Sequence, residues 1–336
     1  MVAPPLNRAL YARGRKGEPP ASAIAAAQLG TGPVTSGTSH GTDRKLDRWA
    51  DWLVRGRDRG ATEVQVRRVH RSLARVRDRI LREARLRPGE RVVDLGAGTG
   101  LLALEARKRV KGSGGVVAVD GSADALSECR RQAEPAADVA PLACVGGDAL
   151  HIPLASQSVD VVMTRSVLIY LADKQAGVRE LYRVLKPRGR VSIFEPINEV
   201  SEQVRNRVRA SGFYDGLQPE WGEIQNYYEA RKEDWWGTLV GWDERELIGW
   251  FEAAGFARVK VSYELITGLR VRKPKKTDIA AGIRGRPNPN TPSYEEVARE
   301  VLGDRADDYL ERYAQFLLNG EGPRSASASV YLVANR

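Results

Sequence analysis

The sequence predicts an α/β protein built on a doubly wound, mostly parallel sheet. Short runs rich in valine, leucine and isoleucine alternate with segments of helical periodicity between residues 92 and 197, an order that is typical of parallel strands joined by helices. The first run leads into three glycines at alternate positions, and the next run ends in an acidic residue. Because ligands of such sheets bind at the carboxyl ends of the strands, these signals predict a site there.

The glycine-rich turn after residues 92–95 predicts a ligand-binding loop. Gly96, Gly98 and Gly100 allow positive φ angles and leave no Cβ between the main chain and a ligand, and the N-terminus of the following helix lies beside them. An ordinary glycine-rich strand-to-helix turn is the alternative interpretation. The spacing does not fit a dinucleotide fingerprint, which needs a glycine three residues after the second one, where Leu101 stands.

The second predicted strand, residues 115–119, ends on Asp120, and Gly121 and Ser122 follow. An acid at this strand tip, about 20 residues past the glycine loop, is placed to accept hydrogen bonds from ribose hydroxyls. Asp120 could instead cap the next helix, although Ser122 is the expected N-cap in either case.

These motifs resemble those of the class I S-adenosylmethionine-dependent methyltransferases. Asp94 followed by G-x-G-x-G resembles their motif I, and Asp120 stands where their ribose-binding acid stands. The triplet G-D-A at 147–149, the segment 165–171 after strand four and the helix, turn and strand of 180–196 follow in the family's order. The resemblance is closest to the ubiquinone/menaquinone-type and small-molecule methyltransferases, and it covers little of the chain beyond these motifs and residues 243–267.

The resemblance implies a Rossmann-like sheet of seven strands with an antiparallel last strand, S-adenosylmethionine as the cofactor, and methyl transfer as the activity. It further implies that Asp94 faces the methionine amino group through the loop, that Asp148 and Ala149 bind adenine, and that Arg165 lies at the edge of the pocket. The predicted cofactor-binding residues are Asp94, Gly96, Gly98, Gly100, Asp120, Gly121, Asp148, Ala149 and Arg165.

The chain divides by composition into three parts. Residues 1–42 are rich in Ala, Gly, Pro, Ser and Thr without hydrophobic periodicity, so a disordered tail is predicted. Residues 43–88 carry apolar residues at helical spacing, and in the superfamily such helices form part of a lid over the cofactor. Residues 89–336 are predicted to form the methyltransferase domain, with helical inserts at about 197–242 and 268–325.

The formal net charge of +10 is unevenly distributed: +2 over residues 1–43, +9 over 44–91 and −1 over 92–336. A basic segment of this kind can meet nucleic acid, an anionic membrane surface or an acidic substrate. A solvated, arginine-rich helix face explains the pattern equally well.

The two inserts are expected to form the acceptor side of the site. Eight of the 23 aromatic residues lie between Phe213 and Trp242, where they could cover an apolar or planar acceptor or pack the insert against the sheet. The second insert carries basic residues that could position an anionic acceptor or be solvated, namely Arg270, Arg272, Lys273, Lys275, Lys276, Arg284 and Arg286.

The predicted function is transfer of a methyl group to an aromatic or amphipathic small molecule by in-line displacement. Such a reaction needs positioning above all, and a base only if the acceptor must lose a proton. His151, Glu195 and Tyr170 are weak candidates for that base, since a loop position, a turn cap and packing over adenine explain them as well. The alternatives are a nucleic-acid methyltransferase guided by the basic helix and a scaffold that binds the cofactor without turnover.

The composition of the chain also argues against several classes of protein and of site. No apolar run approaches the roughly 18 residues of a membrane span. Cys129 and Cys144 are the only cysteines, which fits a reducing cytoplasm and provides neither a disulfide framework nor a metal cluster. The motif of base-amine methylation, Asn or Asp followed by two prolines and an aromatic residue, is absent, and nothing in the sequence indicates the oligomeric state.

Overall fold

The computed structural model describes residues 45–133, 135, 137–268, 275–319 and 325–336. The predicted tail over residues 1–42 lies outside these ranges, as do Arg270, Arg272 and Lys273 of the second insert. The predicted α/β fold class is confirmed: the described chain forms a doubly wound sheet with helices on both faces.

Seven strands make one mixed sheet: β1 (Arg91–Leu95), β2 (Gly115–Asp120), β3 (Leu142–Gly146), β4 (Val159–Arg165), β5 (Leu185–Ile197), β6 (Arg258–Gly268) and β7 (Ser325–Asn335). Their order is β3-β2-β1-β4-β5-β7-β6. β7 runs antiparallel to both of its neighbours, while the other described pairs are parallel. The winding reverses between β1 and β4, and the crevice above that point is where such sheets bind ligands.

The helices are α1 (Arg48–Asp51), which continues into a π-helical turn (Trp52–Gly56), α2 (Glu63–Ala84), α3 (Ala103–Val110), α4 (Ala123–Gln132), α5 (Lys174–Val184), α6 (Glu199–Ala210), α7 (Glu220–Ala230), α8 (Lys232–Trp236), α9 (Glu244–Ala253), α10 (Lys276–Arg284), α11 (Tyr294–Leu302) and α12 (Ala306–Asn319). Ser122 caps α4, as predicted, because its hydroxyl accepts from the Ala125 N–H at 3.0 Å. Thr62 and Asp243 form capping boxes at the starts of α2 and α9.

Each face of the sheet is covered by its own apolar layer. Ile80 and Leu81 of α2 pack with Ala103 of α3 and Leu126 of α4 on one face, and Leu181 of α5 packs with residues of α9 on the other. The interior strands are therefore buried on both sides, which explains why their sequences are continuously apolar rather than alternating.

A third apolar cluster joins the two inserts to each other. Leu217 and Ile224 of the first insert pack against Val297, Leu302 and Tyr309 of the second. The aromatic residues of the first insert were expected to cover an acceptor or to pack against the sheet, but most of them pack against the helices of the second insert. Those in contact with this cluster are Tyr214, Trp221, Tyr227, Tyr228 and Trp235.

Local contacts explain where two elements begin. β5 begins at Leu185, because residues on both sides of the turn at Arg188 (φ 67°) pair with β4 across a register shift. α3 begins at Ala103, where Asp94 accepts from the backbone N–H and defines the first turn. No helix of the described chain is long and apolar enough to cross a bilayer.

Candidate functional site

A cavity of about 1130 Å³ lies at the carboxyl ends of the first four strands. All nine residues predicted to bind the cofactor line it, together with side chains from the π-helical turn and α2. Its volume is close to the upper end of the range of ligand pockets, about 300–1,000 Å³. The cavity wall includes Asp94, Gly96, Gly98, Gly100, Asp120, Gly121, Asp148, Ala149 and Arg165.

Asp94 and Asp120 each hold backbone groups around the glycine loop. The buried Asp94 carboxylate accepts from the Ala103 N–H at 2.8 Å. Asp120 accepts from the Gly98 N–H at 2.7 Å through one oxygen and from the Ser122 N–H at 2.8 Å through the other. These bonds fix the shape of the loop, and each Asp120 oxygen retains a lone pair for a ligand hydroxyl.

Burial is the main perturbation of both carboxylates. It raises the pKa of Asp94 to about 8, although the Ala103 N–H opposes the shift, and the charge of Asp120 adds to it. Burial also raises the pKa of Asp120, and the charge of Asp47 adds to this, against the backbone N–H groups of Ser122, Gly98 and Gly121. A cation next to these groups would favour their ionised forms.

The three glycines of the loop all have positive φ angles, of 69°, 52° and 94° in chain order. A Cβ on Gly96 would collide with the Val167 side chain, and one on Gly98 would lie 3.0 Å from Leu53 Cδ1. A Cβ on Gly100 would lie 2.7 Å from Cys129 Sγ. The loop therefore needs glycine both for its backbone conformation and for its packing against the protein itself.

The predicted adenine turn lies at the end of β3. Asp148 accepts from the Leu150 N–H at 2.9 Å, and its carbonyl accepts from the His151 N–H at 3.0 Å. Asp148 and Ala149 line the cavity, whereas His151 is exposed and is absent from the described cavity wall.

Arg165 and Tyr170 line the cavity on the β4 side. Tyr170 packs edge-on against Trp49, with ring centroids 5.1 Å apart. Burial raises the pKa of Tyr170 to about 12, and the charge of Glu195 adds to this. The phenol thus keeps its proton at neutral pH, which disfavours a role as a base.

Glu195 acts as a turn cap. Its carboxylate is buried and accepts from the N–H groups of Val167 and Leu168 at 2.9 and 3.0 Å and of Ile169 at 3.1 Å. Burial raises its pKa to about 7, and the three N–H bonds act against this shift. The carboxylate shapes the turn behind the cavity and is not part of the described cavity wall.

The N-terminal helical segment lines the cavity and is held beside Asp120 by hydrogen bonds. Asp47 caps α1 through the Trp49 and Ala50 N–H groups, at 3.0 Å each. Its other oxygen accepts from the Ser122 hydroxyl at 2.6 Å, and its own N–H donates to the Asp124 carboxylate at 2.8 Å. One residue therefore connects the start of α1 with the start of α4.

Several residues of the cavity wall were not predicted from the sequence. Trp49, Trp52 and Arg57 reach it from the first helical segment, and His70 reaches it from α2 with its Nε2 3.1 Å from Asp58 Oδ2. No local pattern marks them, because they are far in sequence from the loop they cover. Spacing of apolar residues indicated the helices, but not which side chains face the cavity.

A second cavity, of about 720 Å³, lies between the two inserts. Tyr214, Trp221 and Tyr228 of the first insert and Tyr294 of the second are part of its wall. It adjoins the larger cavity at Pro287, which lines both. The neighbouring Arg286 carbonyl accepts from the Trp52 indole N–H at 3.1 Å, which links the second insert to the N-terminal segment.

The donor set fits a cationic nucleoside better than a metal ion. Carboxylates stand at the ends of three successive strands, around the main chain of the glycine loop. Such groups can accept hydrogen bonds from ribose and adenine and can stabilise a positively charged sulfur. Within the described ranges no group of three or more His, Cys, Asp or Glu side chains could hold a metal ion.

Comparisons with known proteins agree with this geometry. The model of the methyltransferase domain family matches residues 93–193. The chain is 30% identical over 184 residues to the ubiquinone/menaquinone biosynthesis C-methyltransferase UbiE of Vibrio parahaemolyticus, an alignment that covers 54% of this chain and 70% of that protein. It is 38% identical over 112 residues to an uncharacterized 37.1 kDa protein in transposon TN4556 of Streptomyces fradiae, covering 33% of this chain and 31% of that protein.

Among solved structures, the chain is similar to the methyltransferase partner in the complex with the Haloferax volcanii Trm112 methyltransferase activator. The TM-score is 0.48 at 20% identity, over 87% of this chain and 98% of that one. A likeness of this size supports no inference about substrate or partner.

Proposed function

Because this chain belongs to the class I S-adenosylmethionine-dependent methyltransferases, in a part of the superfamily similar to UbiE, we propose that it methylates an aromatic or amphipathic small molecule by in-line displacement. The observation that carries the proposal is the pair of adjoining cavities: one is lined by the cofactor loop and the other by aromatic side chains of the inserts.

We assign the cofactor to the larger cavity. Asp120 would accept from the ribose hydroxyls through the lone pairs left free by Gly98 and Ser122. Asp148 and Ala149 would contact adenine at the end of β3, and the loop carbonyls around Asp94 would face the methionine amino group. In this assignment adenine, ribose and methionine would lie over β3, β2 and β1 in succession, which is consistent with the sheet order.

We assign the acceptor to the cavity between the inserts. Aromatic rings on its wall offer stacking faces and exclude water. Both inserts leave the sheet at the edge that carries the glycine loop, because β7 runs opposite to β5 and β6 and starts where they end. An acceptor held there would reach the larger cavity past Pro287.

When bound, the cofactor supplies an electrophilic methyl carbon on a positively charged sulfur. The role of the protein is then to align the acceptor atom with that carbon and to keep water away, which can supply several kcal/mol of the barrier, on the order of 7–11. Trp49, Tyr170 and Leu53 provide an apolar wall for this purpose. The proposed reaction needs no general base for an acceptor that is already nucleophilic.

The proposal is tested by incubating the purified chain with cofactor labelled in its methyl group and a panel of acceptors. The panel contains quinols and phenols, because the similar Vibrio protein is named for ubiquinone and menaquinone biosynthesis, and it also contains tRNA and duplex DNA. We expect label only in small aromatic products. Label in nucleic acid alone would contradict the proposal.

Filling the acceptor cavity should separate acceptor binding from cofactor binding. Gly282 of α10 lines this cavity, and a Cβ built on it meets no atom within 4 Å. We therefore expect Gly282→Phe to raise the acceptor KM at least tenfold and to leave the calorimetric cofactor Kd unchanged.

The matched control is Gly249→Phe. This glycine of α9 also has open space at its Cβ and lines neither cavity, so its substitution should change neither constant. An unchanged acceptor KM in Gly282→Phe would place the acceptor elsewhere.

A further inference from the structure

Two arginines that line the larger cavity each have a guanidinium nitrogen without a hydrogen-bond partner among the described residues. Arg57, just after the π-helical turn, and Arg165, at the end of β4, both line it. The Nε atom of each is buried and has no hydrogen-bond partner in the described part of the chain. The two residues are 108 positions apart in sequence, so only the fold brings them together.

The carboxylates near this pair make their hydrogen bonds to other groups. Glu195 gives both of its carboxylate oxygens to backbone N–H groups of the turn after β4. Asp58 Oδ2 lies 3.1 Å from His70 Nε2. Its other oxygen, Oδ1, lies 3.9 Å from Arg57 Nε, which is too far for a hydrogen bond. Among the described residues Arg165 takes part in no ion pair within 4.0 Å.

Other half-buried arginines of this protein do have partners. Arg190 forms a double hydrogen bond with the Glu90 carboxylate, at 2.8 Å for each contact. Arg183 contacts Glu180 in the same way and also the Ile152 carbonyl. The unpartnered Nε atoms of Arg57 and Arg165 distinguish them from these two arginines.

Arg57 and Arg165 are half-buried like charges at the same cavity. Burial lowers the pKa of the Arg165 guanidinium and the positive charge of Arg57 lowers it as well, whereas the charge of Glu195 raises it. Arginine does not give up its proton to relieve this repulsion, so a bound anion would stabilise the pair. A planar guanidinium matches a carboxylate through two parallel hydrogen bonds.

We propose that Arg57 and Arg165 together bind a carboxylate inside the cavity. The carboxylate belongs either to the methionine end of the cofactor or to an acidic acceptor. Only the second of these sources, the acceptor, rests on the proposed function. β4 adjoins β1 and lies on the side of the glycine loop away from β2 and β3. The anion thus sits opposite the adenine end, near the place where the methyl group is transferred.

The test is calorimetry of Arg57→Gln and Arg165→Gln with S-adenosylmethionine and with its decarboxylated analogue. If the carboxylate is that of the cofactor, each variant weakens S-adenosylmethionine by about tenfold or more, equal to about 1.4 kcal/mol, and leaves the affinity for the analogue unchanged. Arg75→Gln is the matched control, since Arg75 of α2 is exposed and lines neither cavity.

The second source is tested on protein saturated with S-adenosylhomocysteine. If the carboxylate belongs to the acceptor, 4-hydroxybenzoate raises the melting temperature of the wild type and of Arg75→Gln more than 4-hydroxybenzyl alcohol does, and both cavity variants lose this difference. The proposal is overturned if Arg57→Gln and Arg165→Gln bind every probe as the wild type does. Failure to find any methyl acceptor leaves the calorimetric result intact, so the two proposals fail separately.

Discussion

At the scale of single residues, Asp120 has two tasks on one carboxylate. Its oxygens hold the N–H groups of Gly98 and Ser122, and the same oxygens are the proposed ribose acceptors. The N-cap interpretation of Asp120 and the ligand interpretation are therefore compatible. The Ser122 hydroxyl caps the helix through the Ala125 N–H, while Asp120 orders the turn before it.

We expect Asp120→Ala to weaken S-adenosylmethionine well over tenfold, because charge-assisted hydrogen bonds to buried hydroxyls are lost and the loop loses an anchor. Asp120→Asn retains an oxygen acceptor and should weaken binding less. Calorimetry measures both affinities, with melting curves to check the fold. Asp308→Ala, on the exposed face of α12, is the control, and an Asp120→Ala affinity equal to that control would remove the ribose assignment.

At the scale of elements, the N-terminal segment depends on the bonds of Asp47. Its carboxylate caps α1 and accepts from Ser122, and its N–H donates to Asp124. The segment places Leu53 against Gly98 and Trp49 against Tyr170, so its attachment completes this part of the cavity wall.

We expect Asp47→Ala to favour opening of this segment by roughly 1 kcal/mol or more, about fivefold in the opening equilibrium, because an N-cap and its partners are lost. Limited trypsin digestion should then cleave at Arg48, Arg55 or Arg57 faster than in the wild type, and bound cofactor should dissociate faster. Asp51→Ala is the control, since Asp51 contacts only Arg55 on the same helix, at 3.5 Å. Equal cleavage of the two variants would argue against the role of Asp47 in holding the segment.

The packing of the two inserts is a second feature at the scale of elements. Their aromatic content predicted either cover for an acceptor or packing of the first insert against the sheet, because composition does not show which distant segment the rings contact. In the fold they share an apolar core in which Tyr309 is fully buried. The acceptor cavity therefore lies between two segments that are separated in sequence by α9 and β6.

At the scale of the whole molecule, buried carboxylates determine the pH dependence of stability. Burial raises the pKa of Asp94 to about 8 and that of Glu195 to about 7. Their ordinary values in the unfolded chain are near 4, so the folded state binds protons more tightly. The stabilisation from protonation is complete below those ordinary values and is lost as the pH rises through 7 to 8.

We expect the melting temperature of the cofactor-free protein to fall between pH 6 and pH 8.5. The fall should be smaller in Asp94→Asn, whose amide oxygen can still accept from the Ala103 N–H but which cannot ionise. Saturating S-adenosylmethionine should also reduce the fall, because a cation favours the ionised carboxylates. A melting temperature that rises over this range would contradict the assigned direction.

The sequence by itself determined the sheet, the loop and the strand tips, because those signals are local. Glycines after a buried strand, acids at strand ends and caps such as Ser122 depend on neighbours a few residues away. The tertiary structure decided the rest, since it depends on which distant surfaces meet. Only the fold shows that Glu195 caps a turn, that Arg57 stands beside Arg165, and that the inserts pack on each other to leave a cavity between them.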